Sequence, residues 1–134
     1  FENAHFVHGY PPASVFRYLN RQSDEKIAAL FESTSPALFF LGHTHKLELV
    51  TGKNGLIARR GLGQERVLFA PDEKYIINCG SVGQPRDGDS RAKYFLWDFE
   101  MRQLEVRFVD YDSMKTMQKI RDRGFPESYA IRLG

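Results

Sequence analysis

Apolar positions recur at both helical and strand spacing along the chain, and their order predicts an α/β fold. Ile27, Leu30 and Phe31 recur at i, i+3 and i+4 behind a capping Ser23, which predicts a helix that buries one face. Residues 37–41 form a continuous apolar run, which is typical of a strand covered on both faces. A buried strand next to an amphipathic helix indicates layers of helix and sheet.

The remaining pattern adds strands, and it ends in helical segments. Asp112 precedes a second helix whose apolar face is Met114, Met117 and Ile120. A short helix is predicted over residues 13–19 and a last short turn over residues 129–133. Strands are predicted over residues 4–7, 46–51, 56–60, 65–70, 75–78, 93–99 and 103–110, the last two as a hairpin. We therefore expect one α/β unit over residues 1–134, with a mixed sheet.

Composition narrows the class of protein. A chain of 134 residues with 42% hydrophobic content is long and apolar enough for one domain with a core. The formal net charge of +2 is too even to indicate a nucleic-acid or membrane-surface partner. No apolar run approaches the roughly 20 residues that span a bilayer. The single Cys79 excludes an intramolecular disulfide, which fits a reducing compartment, and we expect a cytoplasmic location.

The histidines are the strongest chemical signal. His43 and His45 directly follow the apolar run, and in extended backbone residues i and i+2 face the same side. His8 follows a second predicted strand, and strand ends of this kind meet at the ligand-binding edge of an α/β sheet. The alternative is a pair of polar residues in a solvated turn. We expect a metal site, with His5 outside it as a surface or packing residue.

A second unusual segment spans residues 78–89 and is rich in glycine. Its amides could face an anion, and Arg86 could pair with a phosphate oxygen, although an ordinary loop explains its composition as well. It is not a Walker P-loop, because no Gly-Lys-Ser/Thr ends it. Cys79, at its start, is expected to be a buried or loop thiol rather than a nucleophile.

Three segments, in the same order, resemble the calcineurin-like metallophosphoesterases. Gly42-His43-Thr44-His45 resembles the last metal motif of that family, and His8-Gly9 resembles the motif before it. Residues 78–89 are similar to a segment of its small prokaryotic branch, whose members are described as phosphodiesterases or diadenosine-tetraphosphatase-like. Residues 123–133 resemble the ending of that branch.

The resemblance implies the C-terminal half of a layered α/β/β/α sandwich, with mostly antiparallel strands and flanking helices. It implies hydrolysis of phosphomonoesters or phosphodiesters, including nucleotides, by water activated between two divalent metal ions. His8 and His43 would bind one ion and His45 the other, and Arg86 would contact substrate. Manganese is favoured, although imidazole ligands also suit iron, zinc, nickel and cobalt.

Several family motifs have no counterpart in this sequence. The Asp-x-His, Gly-Asp-x-x-Asp and Gly-Asn-His-Asp/Glu motifs of the first half are missing, so no catalytic residue is identified. We therefore expect the N-terminal half of the same fold as a partner, a phosphate ester as substrate, and little or no activity from this chain alone. The sequence also leaves open the formation of a homo-oligomer.

Two alternatives use the same residues differently. The fold could serve as a non-catalytic scaffold or interaction module. His8, His43 and His45 could instead form a mononuclear site with an open position, as in catalytic zinc centres. Metal uptake and turnover distinguish these alternatives from the phosphoesterase.

Overall fold

A computed structural model describes residues 3–133. Within that range the chain forms two sheets and three α-helices, with a single 3₁₀ turn at Leu19–Arg21. The strands are β1 (Ala4–Phe6), β2 (Leu38–Leu41), β3 (Leu47–Lys53), β4 (Leu56–Gly61), β5 (Arg66–Leu68), β6 (Lys74–Cys79), β7 (Ala92–Asp98) and β8 (Gln103–Val109). The helices are α1 (Asp24–Ser33), α2 (Ser113–Asp122) and α3 (Glu127–Ile131).

The larger sheet has five strands in the order β1-β2-β6-β3-β4. Strands β1, β2 and β6 run parallel, whereas β3 pairs antiparallel with both β6 and β4. The register places Phe6 opposite Phe40, and Leu41 opposite Asn78. The carboxyl ends of three strands therefore meet at one edge, which is where open α/β sheets bind ligands.

The smaller sheet packs against the larger one. It has the antiparallel order β5-β8-β7, and β7 and β8 form the predicted hairpin. Apolar side chains from both sheets fill the space between them, as strands with one buried face require. This inter-sheet core is formed by Leu38, Phe40, Leu47, Leu49, Leu62, Phe69, Tyr75, Ile77, Leu104 and Val106.

Helix α1 covers the other face of the five-stranded sheet. The Ser23 side chain accepts a hydrogen bond from the Lys26 amide, as predicted for an N-cap. The predicted face is confirmed, because Ile27, Leu30 and Phe31 are buried against β2, β3 and β6. All four residues of β2 are buried, which confirms a strand covered on both faces.

Met117 of α2 packs against Ala130 of α3 and against Leu133, which follows α3. Met114, which the sequence pattern placed on the buried face of α2, is 67% exposed. Leu133 reaches the loop after β6, where a Cβ atom added to Gly83 would lie 3.8 Å from Leu133 Cδ2. The C-terminal segment thus lies against the glycine-rich loop.

The helix predicted over residues 13–19 is wrong. The Ser14 hydroxyl accepts hydrogen bonds from the Phe16 and Arg17 amides, and the Gly9 amide donates to Ser14 O at 2.9 Å. These bonds fold the segment into a loop, because a serine side chain competes with helical backbone bonding. The predicted layered α/β fold, with mostly antiparallel strands, is confirmed. No helix in residues 3–133 has the length and apolarity needed to cross a membrane.

Candidate metal centre

Two histidines meet where the first two parallel strands end. The His8 Nε2 and His43 Nδ1 atoms lie 3.0 Å apart. Their turns are joined directly, because the Gly42 amide donates to His8 O at 3.1 Å. The pairing of β1 with β2 therefore brings together residues that are distant in sequence, as predicted from the strand ends.

His43 and His45 do not have the extended backbone expected from their i and i+2 spacing. Both are left-handed, with φ of 66° at His43 and 56° at His45. Such backbone is uncommon for residues other than glycine, and histidine is among those enriched in it. The turn that this geometry makes directs the two rings to different partners.

The hydrogen bonds of His43 determine which of its ring nitrogens can bind a cation. Its Nε2 lies 3.3 Å from Phe16 O, and a carbonyl oxygen only accepts, so Nε2 carries the proton. Nδ1 then has its lone pair directed toward His8. The Tyr18 ring stacks on the imidazole at a centroid distance of 4.2 Å and holds its plane.

His45 is oriented by the loop that follows β6. Its Nδ1 lies 2.8 Å from Gln84 O, so Nδ1 donates and Nε2 has a free lone pair. The Arg86 amide in turn donates to His45 O at 3.1 Å. A ring N–H bonded to a carbonyl is the arrangement that typically fixes a metal-binding histidine.

Asn78 links the end of β6 to the histidine turn and was not predicted from the sequence to have this role. It is fully buried, and its Nδ2 donates to Gly42 O at 2.8 Å and to Thr44 Oγ1 at 2.6 Å. Its Oδ1 accepts from the Gly80 amide at 3.1 Å. An amide side chain that ends an apolar strand was the available signal, because a buried polar group must find partners.

His5 lies outside the centre, as expected. Its Nε2 lies 2.6 Å from Pro12 O, and its ring is tilted against Phe39 at a centroid distance of 5.8 Å. His5 is thus bonded to the loop that follows β1 and packs on Phe39, which belongs to the core cluster between α1 and the sheet.

The acidic residues of the glycine-rich loop are already paired. Asp87 contacts Lys93 Nζ at 2.8 Å, and Asp89 contacts the Arg91 guanidinium at 2.5 Å. Hydrogen bonds from Arg91 hold the pKa of Asp89 well below its usual range. Arg86 lies on the same loop, next to the backbone that orients His45.

Cys79 has the environment of a structural thiol rather than a nucleophile, in agreement with the sequence expectation. It is free and partly buried at the end of β6. Burial raises the pKa of the thiol to about 11, so it stays protonated at neutral pH.

The donor set fits part of a metal centre. Two nitrogens that bind one cation at about 2.1 Å lie about 3.0 Å apart at the right angle of octahedral coordination and about 3.4 Å apart at the tetrahedral angle. His8 Nε2 and His43 Nδ1 lie 3.0 Å apart, which matches the octahedral separation. Within residues 3–133, however, no group of three or more histidine, cysteine, aspartate or glutamate side chains is arranged to hold a metal ion. The residues present can hold a cation from one side, and a complete centre needs further donors.

Comparison with known proteins identifies the fold. The crystal structure of a metallophosphoesterase from Sphaerobacter thermophilus superimposes with a TM-score of 0.81 and 30% sequence identity, over 98% of this chain. The chain has part of the metallophosphoesterase fold. This confirms the resemblance seen in the histidine motifs, and divalent metals are a general property of metallophosphoesterases.

This chain spans only part of the length of each protein that it matches. The chain covers 54% of the Sphaerobacter protein. It is also 38% identical, over 96 residues, to the uncharacterized protein MJ0912 of Methanocaldococcus jannaschii, and this match spans 72% of the chain and 38% of that protein. No protein-family model matches the sequence.

Proposed function

We propose that this chain is the C-terminal part of a phosphoesterase that depends on two divalent metal ions. The observation that carries the proposal is the pair of ring nitrogens of His8 and His43, 3.0 Å apart at the carboxyl edge of parallel strands. The metallophosphoesterase fold around them supports a phosphate ester, either a monoester or a diester, as substrate.

In this proposal the residues of this chain bind the cations and orient the substrate. His8 and His43 hold one cation, and His45 offers its free Nε2 to the other. Bound cations would stabilise charge on the phosphoryl oxygens and lower the pKa of a water molecule. Three imidazoles do not select the metal, and manganese remains our proposal. Arg86 contacts the substrate from the adjoining loop.

The remaining donors would come from the N-terminal half of the same fold. Residues 3–133 supply no third histidine, cysteine, aspartate or glutamate side chain to complete a metal-binding group with the His8–His43 pair. Strand β1 is at the edge of its sheet, and its Phe6 side chain is 62% exposed while stacked on Phe40. An edge strand with an exposed aromatic residue is suited to pairing with a further strand. We propose that the N-terminal half packs here.

A comparison of two polypeptides tests the proposed function. The isolated chain and the complete protein are assayed with p-nitrophenyl phosphate and its bis-ester, with manganese or nickel and with a chelator. We expect metal-dependent turnover from the complete protein and almost none from the chain. Robust turnover by the isolated chain would disprove the shared centre. A complete protein that takes up no metal would instead favour the scaffold alternative.

A further inference from the structure

Two arginines from distant parts of the sequence line one cavity beside the glycine-rich loop. The cavity has a volume of about 300 Å³ and is lined by Gln84, Pro85, Arg86 and Arg132. Arg132 follows α3, which reaches this loop through the contact between Leu133 and Gly83. The packing of the C-terminal segment on the loop therefore creates the cavity.

Among residues 3–133, neither guanidinium in this cavity has an acidic partner. Asp87 and Asp89, which are near Arg86 in sequence, are bound by Lys93 and Arg91. Glu127, which is near Arg132, is bound by Arg121. Across residues 3–133, no carboxylate oxygen lies within ion-pair distance of the Arg86 or Arg132 side chain. Within the described residues, the cavity thus carries two positive charges without a carboxylate partner. A guanidinium group can donate two parallel N–H hydrogen bonds to the oxygens of one phosphate.

The cavity adjoins the candidate metal centre without overlapping it. Gln84 O accepts the hydrogen bond from His45 Nδ1, and the Arg86 amide donates to His45 O. Because Nδ1 faces the segment that lines the cavity, the free Nε2 of His45 faces away from it. A cation held by Nε2 and an anion held by the arginines would occupy neighbouring, separate positions.

We propose that Arg86 and Arg132 form an anion subsite for a phosphate group of the substrate other than the one that is hydrolysed. The inference rests on the proposed function and narrows its substrate class to esters with at least two phosphate groups. Arg132 is held for this role by its aromatic neighbour, since its Cζ lies 5.9 Å from the centre of the Tyr129 ring.

Anion binding without metal tests the subsite independently of hydrolysis. Pyrophosphate is titrated calorimetrically into the full chain in the presence of a chelator. We expect Arg86→Gln and Arg132→Gln each to weaken binding about tenfold, through loss of charge-assisted hydrogen bonds. Arg66→Gln is the matched control, because Arg66 is an exposed arginine on β5 of the three-stranded sheet. Unchanged binding by both variants, or equal weakening by the control, would overturn the subsite.

Steady-state kinetics of the complete protein then show whether the ligand of the subsite is a phosphate group of the substrate or free inorganic phosphate. We expect Arg132→Gln, at a residue with no assigned role in binding the hydrolysed phosphate, to raise the KM for adenosine triphosphate about tenfold and to leave the KM for p-nitrophenyl phosphate unchanged. Equal effects on both substrates, or none, would refute the substrate role and leave only a free-phosphate site. Arginine-dependent pyrophosphate binding by a protein that hydrolyses nothing would refute the proposed function and retain the anion site.

Discussion

The imidazole of His43 is held on three sides before any cation arrives. Phe16 O accepts from its Nε2, the Tyr18 ring stacks on its face, and His8 Nε2 lies 3.0 Å from its Nδ1. Preorganisation of this kind places the lone pair of one nitrogen where a ligand is needed. His5 offers a contrast within the same chain, because its ring is engaged by Pro12 O and lies away from this pair.

Replacement of His43 should therefore weaken metal binding far more than replacement of His5. We expect His43→Ala to lower the affinity of the chain for zinc or nickel by at least about tenfold, since one of two adjacent ligands is lost. His5→Gln is the control and should bind as the wild type does. Isothermal titration calorimetry at constant pH measures both. Equal affinity of the two variants would exclude His43 as a ligand.

At the scale of an element, Lys93 at the start of β7 secures the loop that orients His45. Its side chain is 1% exposed, and its Nζ donates to Asp87 Oδ1 at 2.8 Å and to Asp89 O at 2.5 Å. The Lys93 amide also donates to Ser81 O, so the loop is held at both its beginning and its end. Burial of an ammonium group costs free energy unless the group is paired with an opposite charge and hydrogen-bonded, so these contacts are needed to stabilise the loop.

Removal of the Lys93 charge should destabilise the protein. We expect Lys93→Met to lower the free energy of unfolding by about 2–4 kcal/mol, because Asp87 and Asp89 O lose their donor inside a partly buried loop. Lys119→Met, at an exposed position on α2, should change it by less than about 0.5 kcal/mol. Urea denaturation followed by circular dichroism measures both values. Similar values for the two variants would show that the Lys93 contacts contribute no stability.

Local patterns predicted the elements, whereas the site depends on contacts between distant residues. The α1 helix was predictable because its cap and apolar face lie within one short stretch. The loop at residues 13–19 was not, because backbone bonds to Gly9 and Tyr10 override its helical spacing. The left-handed turn at His43 was also not predictable, nor was the approach of Arg132 to Arg86, since neither leaves a periodic signal.

At the scale of the whole molecule, the candidate centre depends on the packing of one sheet on the other. His8 and His43 lie in turns that follow strands β1 and β2 of the five-stranded sheet, and Asn78 lies near the end of β6. The inner faces of β2 and β6 are covered by β8 of the smaller sheet through the inter-sheet core. Loss of this packing would loosen the strands from which the histidines extend.

A cavity in the inter-sheet core should therefore cost more than the same truncation at the surface. Leu104 on β8 is fully buried in that core, and Leu68 on the adjacent strand β5 is 69% exposed. We expect Leu104→Ala to lower the free energy of unfolding by about 2–5 kcal/mol and Leu68→Ala by less than about 1 kcal/mol. Urea denaturation measures the difference. Because neither leucine belongs to the candidate metal centre, zinc affinity measured at urea concentrations well below the unfolding transition should match the wild type in both variants. Equal destabilisation would mean that the two sheets are not joined by a packed core.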